Sequence, residues 1–267
     1  MLYMETAMLT LTSKENSHIK EVIKLQKSAR HRRQSGLFVA EGLRVCMDAV
    51  QSGAAIAALY ISESAAAKNS SEAAQLDSCA EKSFLLSDEL FRYISDTQSP
   101  QGVLCVIKAL DKSAHFGKIK IGGKFLALDN VQDPNNLGTI FRSAEAFGVS
   151  GVILSADCCD VYNPKVVRGS MGAVFRLPFL TVDSLETFFL ETPGLHTYAA
   201  VLDSGAERVT DIRFTEPCAV VIGNEGNGIR QTTVSACQHK ITIPMDGKAE
   251  SLNASVAAAI LIWEMVK

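Results

Sequence analysis

Lys124-Phe125-Leu126-Ala127-Leu128-Asp129-Asn130-Val131-Gln132-Asp133-Pro134-Asn135-Asn136-Leu137-Gly138 is the stretch whose reading decides the fold. Its apolar residues run on instead of alternating, so Lys124 to Asp129 reads as a strand buried on both faces. A polar loop follows, in which Pro134 fixes its own φ and biases Asp133 toward an extended backbone. Leu137 to Phe147 then has helical spacing, with Asn136 a competent N-cap and Arg142 early in the helix. Strand, polar loop, helix is the unit of a parallel sheet whose ligands gather beyond the carboxyl ends of the strands.

The pattern continues to the end of the chain. Further strands are expected at Gly151 to Leu154, Thr197 to Leu202, Ala219 to Gly223 and Lys240 to Ile243. Helices fit at Leu137 to Phe147, Ser184 to Leu190, Gly228 to Ser235 and Leu252 to Val266. Continuous apolar strands between helices imply an α/β domain, with a mostly parallel sheet covered by helices on both faces. Before it, residues 111 to 123 lose periodicity and are rich in lysine and glycine, which reads as a linker. Residues 1–110 read as a small amino-terminal α/β domain and 124–267 as the carboxy-terminal one. In the first, a helix from His18 to Ala29 with Ser17 as its cap precedes a strand at Leu37 to Ala40. A helix at Gly42 to Gln51 and strands at Ile56 to Ile61, Phe84 to Leu86 and Val103 to Ile107 follow, with Lys68 to Cys79 a surface helix or loop.

Composition narrows the class. With 267 residues, 47% of them hydrophobic, the chain can fill two cores. Met1 to Thr10 carry Glu5 and no basic cluster, so they do not read as a secretory signal, and no apolar run approaches the roughly 18 residues of a membrane helix. The seven cysteines form no C-x-x-C pair and the five histidines show no ligand spacing, so neither a disulfide framework nor a metal site is expected. A soluble cytoplasmic protein is the expectation. The net charge of −3 does not suggest a general nucleic-acid binder, yet seven basic residues fall between Lys14 and Arg33. Such a patch attracts an anionic polymer, or it is simply a solvated helix face.

Three loops concentrate polar and glycine residues. The first is Asp129 to Gly138. The second, Gly223-Asn224-Glu225-Gly226-Asn227-Gly228, lies between a strand and a helix, and its glycines permit close backbone approach to a ligand. Its spacing is not the dinucleotide fingerprint, and the chain has no Walker phosphate loop. The third runs Ile243-Pro244-Met245, then Ser251-Leu252-Asn253-Ala254-Ser255, where Ser251 could cap the last helix and Asn253 and Ser255 would sit in its first turn.

Together these loops resemble the three signature motifs of the SpoU family of RNA ribose methyltransferases. Asp133-Pro134-x-Asn136-x-Gly138-x-x-x-Arg142 is similar to the first, Gly223-x-Glu225-x-x-Gly228 to the second, and Ile243-Pro244-Met245 with Ser251-Leu252-Asn253-x-Ser255 to the third. The segment from Asn163 to Ala173 is similar to another family stretch. Asn16-x-x-Ile19-Lys20 and Phe38-Val39-Ala40-Glu41-Gly42 resemble the substrate-binding domain of members acting on ribosomal RNA.

The resemblance implies a trefoil knot in the carboxy-terminal domain, a homodimer, and S-adenosylmethionine as methyl donor for a ribose 2′-hydroxyl. It implies catalytic roles for Arg142, Asn136, Glu225, Ser251 and Asn253, with Arg142 acting as general base or as phosphate anchor. It implies a cofactor pocket from Leu202, Gly223, Asn224, Glu225, Gly226, Ile243, Met245 and Leu252. The RNA, ribosomal by this likeness, is expected to meet Lys20, Lys24, Lys27, Arg30, Arg32, Arg33 and Arg168. The rival readings are a transfer-RNA methyltransferase, a Rossmann-type enzyme, and an RNA-binding or resistance module without catalysis. The missing dinucleotide fingerprint counts against the second, and the full set of signature residues against the third.

Overall fold

A computed structural model describes residues 8–267, side chains 118, 120 and 121 excepted; the part of the amino terminus read above as lacking a secretory signal lies outside it up to Ala7. The chain separates into two compact units, one of residues 1–110 with 162–168 and one of 111–161 with 169–267.

The first unit holds β1 (Leu9–Leu11), α1 (Ser17–Lys27), α2 (Ala29–Ser35), β2 (Leu37–Glu41), α3 (Leu43–Gln51), β3 (Ile56–Ser62), α4 (Glu63–Lys68), α5 (Ser70–Cys79), β4 (Ser83–Leu86), α6 (Asp88–Ile94) and β5 (Val103–Lys108). Its five-stranded sheet has the order β1-β4-β3-β5-β2, with β5 antiparallel to both neighbours. Ile19, Val22 and Leu25 lie a helical turn apart on α1 and are buried with Tyr60, Phe84 and Phe91. Asn16, not Ser17, caps α1, and its side chain accepts from the His18 N–H. The expected single helix breaks at Ser28, whose hydroxyl caps α2. That break turns Arg32 inward.

The second unit opens on a 3-10 turn at Ser113–Ile121 and β6 (Lys124–Leu128), followed by α7 (Pro134–Ala146) and β7 (Gly151–Ser155). Then come α8 (Pro164–Gly169), α9 (Ala173–Arg176), β8 (Phe179–Val182), α10 (Leu185–Glu191), β9 (His196–Ala200), β10 (Glu207–Arg208), β11 (Cys218–Ile222), α11 (Gln231–Ala236), β12 (His239–Thr242) and α12 (Ala254–Val266). Most of α8 groups with the first unit, where Tyr162 stacks on Phe38 with ring centroids 4.3 Å apart and donates its hydroxyl to the Leu110 carbonyl.

The seven strands of this unit form one wholly parallel sheet in the order β10-β12-β9-β11-β6-β7-β8. Every residue of β7 and β11 is buried, as unbroken apolar runs require when helices cover both faces. From β6 the chain builds outward through β7 to β8, then crosses to the other side for β9, β11 and β12. The ends of β6 and β11 therefore flank the place where the connections diverge, the usual crevice for a ligand.

The stretch expected as a linker is part of this core. Phe116 and Ile119 are 5% and 4% exposed, and they pack with Phe125, Leu185 and Phe189. Two well-spaced aromatic and aliphatic side chains suffice to anchor a lysine-rich segment whose polar residues hide that pattern. Replacing Phe116 with alanine is expected to cost about 3–5 kcal/mol, read as a lower midpoint in chemical denaturation of the full chain.

Candidate active site

The loops after β6 and β11 are sewn together. The Asp129 N–H donates to the Ile222 carbonyl at 2.8 Å, and Asn224 Nδ2 donates to the Asn130 carbonyl at 2.8 Å. Glu225 accepts from the backbone N–H groups of Gln132 and Asp133, at 3.2 and 3.1 Å. Gly223 cannot be replaced without moving this loop, because a Cβ there would lie 2.1 Å from the Gly228 carbonyl carbon. Asn224 and Gly228 exchange two backbone hydrogen bonds, which close the loop on itself. Gly228 sits at φ +68°, in the region where only glycine is unstrained.

A chain of side-chain hydrogen bonds links the three motif loops. Asn253 Nδ2 donates to Asn136 Oδ1 at 3.0 Å, and Asn136 Nδ2 donates to Glu225 Oε1 at 2.9 Å. Burial pushes the Glu225 carboxyl up, but the donors from Asn136 and the backbone of Glu225, Gln132 and Asp133 outweigh it and hold the carboxyl below its ordinary value. The helix caps differ from those expected. Asp133 caps α7 by accepting from the Asn135 N–H, while Asn136 is buried in the first turn and spends its amide across the loops. Asn253, not Ser251, caps α12, accepting from the N–H groups of Ser255 and Val256.

Beside this chain lies a cavity of about 470 Å³, bounded by the ends of β9, β11 and β12 and the first turns of α12. All the residues expected at the cofactor are on its wall: Leu202, Gly223, Asn224, Glu225, Gly226, Ile243, Met245 and Leu252. Ser251 is there too, with Glu250 and Ile222, which the motifs did not single out. The lining has two carboxylates, much apolar surface and, among the described residues, no basic one. Its volume and character fit a small organic ligand, for which about 300–1,000 Å³ is usual. They also fit a cation, since the carboxylates face no competing lysine or arginine.

Arg142 stands apart from the chain of amides. It is exposed on α7 and makes no hydrogen bond or ion pair among the described residues. Six residues of helix place it about 120° around the axis from Asn136, so the two do not share a face. Glu225 is met by Asn136, not by Arg142. Of the basic residues, Lys20, Lys24, Lys27, Arg30 and Arg33 are exposed, with Lys20 paired to Glu15. Arg32 is corrected: it is 4% exposed and its guanidinium donates to the Leu25 and Gln26 carbonyls, at 2.6 and 3.1 Å, closing the end of α1. Arg168 pairs with Asp96 at 3.6 Å. An ion pair between Asp129 and Arg230, across the same two loops, was not legible in the motifs.

Comparison with known proteins agrees with this geometry. Residues 123–263 match the SpoU rRNA Methylase family, and residues 16–105 match the MRM3-like substrate binding domain. A 23S rRNA (guanosine(2553)-2′-O)-methyltransferase of Bacillus subtilis is 28% identical, over 97% of this chain and 99% of its own. The AdoMet-bound rRNA methyltransferase from Sinorhizobium meliloti superposes with a TM-score of 0.83 at 27% identity, covering 96% of each chain. AviRb of Streptomyces viridochromogenes, in complex with AdoMet, gives a TM-score of 0.82 at 27% identity, covering 94% of this chain and 97% of its own.

Asn253→Ala removes both the cap of α12 and the donor to a buried amide, and is expected to lower stability by about 1–3 kcal/mol. Asn253→Ser, which keeps a capping oxygen, recovers part of the loss in a urea titration.

Proposed function

The chain belongs to the SpoU rRNA Methylase family, and on that footing we propose that it methylates a ribose 2′-hydroxyl of 23S ribosomal RNA from S-adenosylmethionine. The observation that carries this reading is the cavity at the carboxyl ends of β9, β11 and β12, walled by the second and third motif loops, to which the first is tied through Asn136. The substrate follows from the B. subtilis relative, which is named for 23S rRNA and matches nearly the whole chain, and from the amino-terminal substrate-binding domain. Ribosomal RNA as substrate also supports the cytoplasm as its place of work.

Bound S-adenosylmethionine would supply an electrophilic methyl on a good leaving group. What remains for the protein is to hold the attacking hydroxyl in line and to stabilise charge around it. The glycine loop and Ile243 to Met245 offer backbone groups and apolar contacts to a purine. Glu225 and Glu250 line the same cavity with negative charge, which suits a sulfonium and an ammonium. Asn136, Asn253 and Glu225 hold the loops in register, and Ser251 lines the wall.

Arg142 anchors the phosphate next to the target ribose. A guanidinium remains protonated far above neutral pH and forks onto phosphate, so it serves better as a clamp than as a base. Without a partner among the described residues, it is available for that contact.

A homodimer completes the reading. Val256 and Trp263 on α12 and Phe147 at the end of α7 are 48%, 54% and 39% exposed, and Phe147 packs edge-on against Trp263 at 5.6 Å. Apolar side chains clustered on two neighbouring helices suit a second copy. Such pairing also gives an arginine turned away from its own Asn136 a site to serve. The trefoil knot belongs to the same reading, supported by α12 returning from edge-side β12 to pack on β6, β11 and α7.

The test is transfer of labelled methyl from S-adenosylmethionine to separated ribosomal and transfer RNA, with nuclease digestion of the product. A 2′-O-methyl nucleotide in the ribosomal fraction is expected, and label confined to transfer RNA would refute the substrate. Arg142→Ala is expected to lower kcat by about 100-fold or more, the scale of a lost charge-stabilising donor, while the Kd for S-adenosylmethionine stays within twofold. Reversing Lys24, Lys27, Arg30 and Arg33 to glutamate is expected to weaken RNA binding and flatten its dependence on salt. The same four changes leave cofactor binding intact.

A further inference from the structure

Among the described residues of the second unit, Asp129 is the one charged side chain that is wholly buried, at 0% exposure. It directly follows β6, and its partner comes from the far end of the glycine loop. The Arg230 backbone N–H donates to Asp129 Oδ2 at 2.9 Å, and the Arg230 guanidinium pairs with Asp129 Oδ1. The other arm of the same guanidinium reaches Asp157 Oδ2 at 3.2 Å, in the loop after β7. Asp157 is itself held by the Ser155 hydroxyl at 2.5 Å, and that hydroxyl accepts from the Asn130 N–H at 2.9 Å. One side chain from the loop after β11 therefore bridges the loops after β6 and β7.

Arg230 does not line the cavity, but residues 222–229 all do. The segment is tied at its entry by Asn224 to the Asn130 carbonyl, and at its exit by Arg230 to Asp129. Between these ties, the glycines leave the backbone little stiffness of its own.

We propose that Arg230, seated on Asp129 and Asp157, is a positioning residue that holds the glycine loop in its ligand-binding shape. The inference rests on the S-adenosylmethionine reading of the cavity. Taking away the guanidinium leaves a carboxylate buried without its counter-charge, which a fold tolerates poorly. The loop is the soft element that moves to bring water to Asp129, and the cavity wall moves with it. Lysine can satisfy Asp129 but cannot fork to Asp157 as well, so Arg230→Lys keeps half the tie.

The test is calorimetric binding of S-adenosylmethionine and of S-adenosylhomocysteine, with thermal midpoints measured alongside, on the wild type, Arg230→Gln, Arg230→Lys and Asp157→Asn. Arg230→Gln is expected to raise both dissociation constants about tenfold or more, Arg230→Lys and Asp157→Asn by less, at temperatures where each variant is folded. A folded Arg230→Gln that binds both ligands within twofold of wild type, even with a lowered midpoint, shows a merely structural ion pair and overturns the proposal. Should Arg230→Gln fail to fold, unchanged binding by both Arg230→Lys and Asp157→Asn overturns it equally. Wild-type protein that binds neither ligand overturns the cofactor reading, and this inference with it.

Discussion

The loop after β11 is pinned to the loop after β6 at the place where the parallel sheet changes direction, and the site depends on that contact. Adjacent parallel strands whose connections diverge leave their carboxyl ends open. An open crevice is a liability in a sheet buried on both faces, since its backbone donors and acceptors must find partners. Here they do so mutually. Glu225 takes two N–H groups of the opposing loop, Asn224 takes the Asn130 carbonyl, and the Asp129 N–H takes the Ile222 carbonyl. The cavity is what remains on the side of β9 and β12 once these groups are satisfied.

Charge is divided accordingly. Among the described residues, the cavity wall carries carboxylates and no cation, whereas exposed cations lie elsewhere, on α1, on α2 and at Arg142. A wall of that sign favours a ligand with cationic character and repels phosphate. The cations outside it suit a polyanion. A donor with a sulfonium and an acceptor with a phosphate backbone need opposite fields, and the chain keeps them on different elements. This explains how a protein of net charge −3 can be built to act on RNA.

Much of the second unit was legible in the sequence because its strands are unbroken apolar runs between polar loops. β6, β7, β11 and β12 lie where the pattern placed them, to within a residue or two. β8 escaped notice because Phe179–Val182 is short and largely half-exposed. The caps of α1, α7 and α12 lie one to three positions from those the sequence suggests. Asn, Asp and Ser all cap well, so composition names a cluster, while the backbone angle picks one member. The choice has consequences at α7: with Asp133 as the cap, Asn136 is freed to connect Asn253 and Glu225. Arg32 departs from its pattern for a similar reason. A basic run looks solvent-facing until a helix break at Ser28 rotates one member inward. Asp129 was in plain view as the charge ending an apolar strand, but nothing local could say that its partner lies 101 residues further on.

The two carboxylates that hold the glycine loop are satisfied in different ways, and the difference sets how the loop can fail. Glu225 sits near solvent and is met by a neutral amide and backbone N–H groups, so its hold relaxes only if it is protonated. Its carboxyl lies below the ordinary value, so this hold is complete above the usual carboxylate range and is lost as pH falls through the lowered one. Asp129 is fully buried and met by a guanidinium, so its hold depends on charge neutralisation and on the reach of one side chain. Shared geometry from Glu225 sets the register of the loops, whereas the ion pair fixes where the loop ends. A glycine-rich segment needs both, because flexibility that lets the backbone approach a ligand also lets it drift away. The ties lie on the side facing β6 and β7, and the ligand surface lies on the other. The loop can therefore be rigid toward the protein and bare toward the cavity, as a backbone-lined binding site demands.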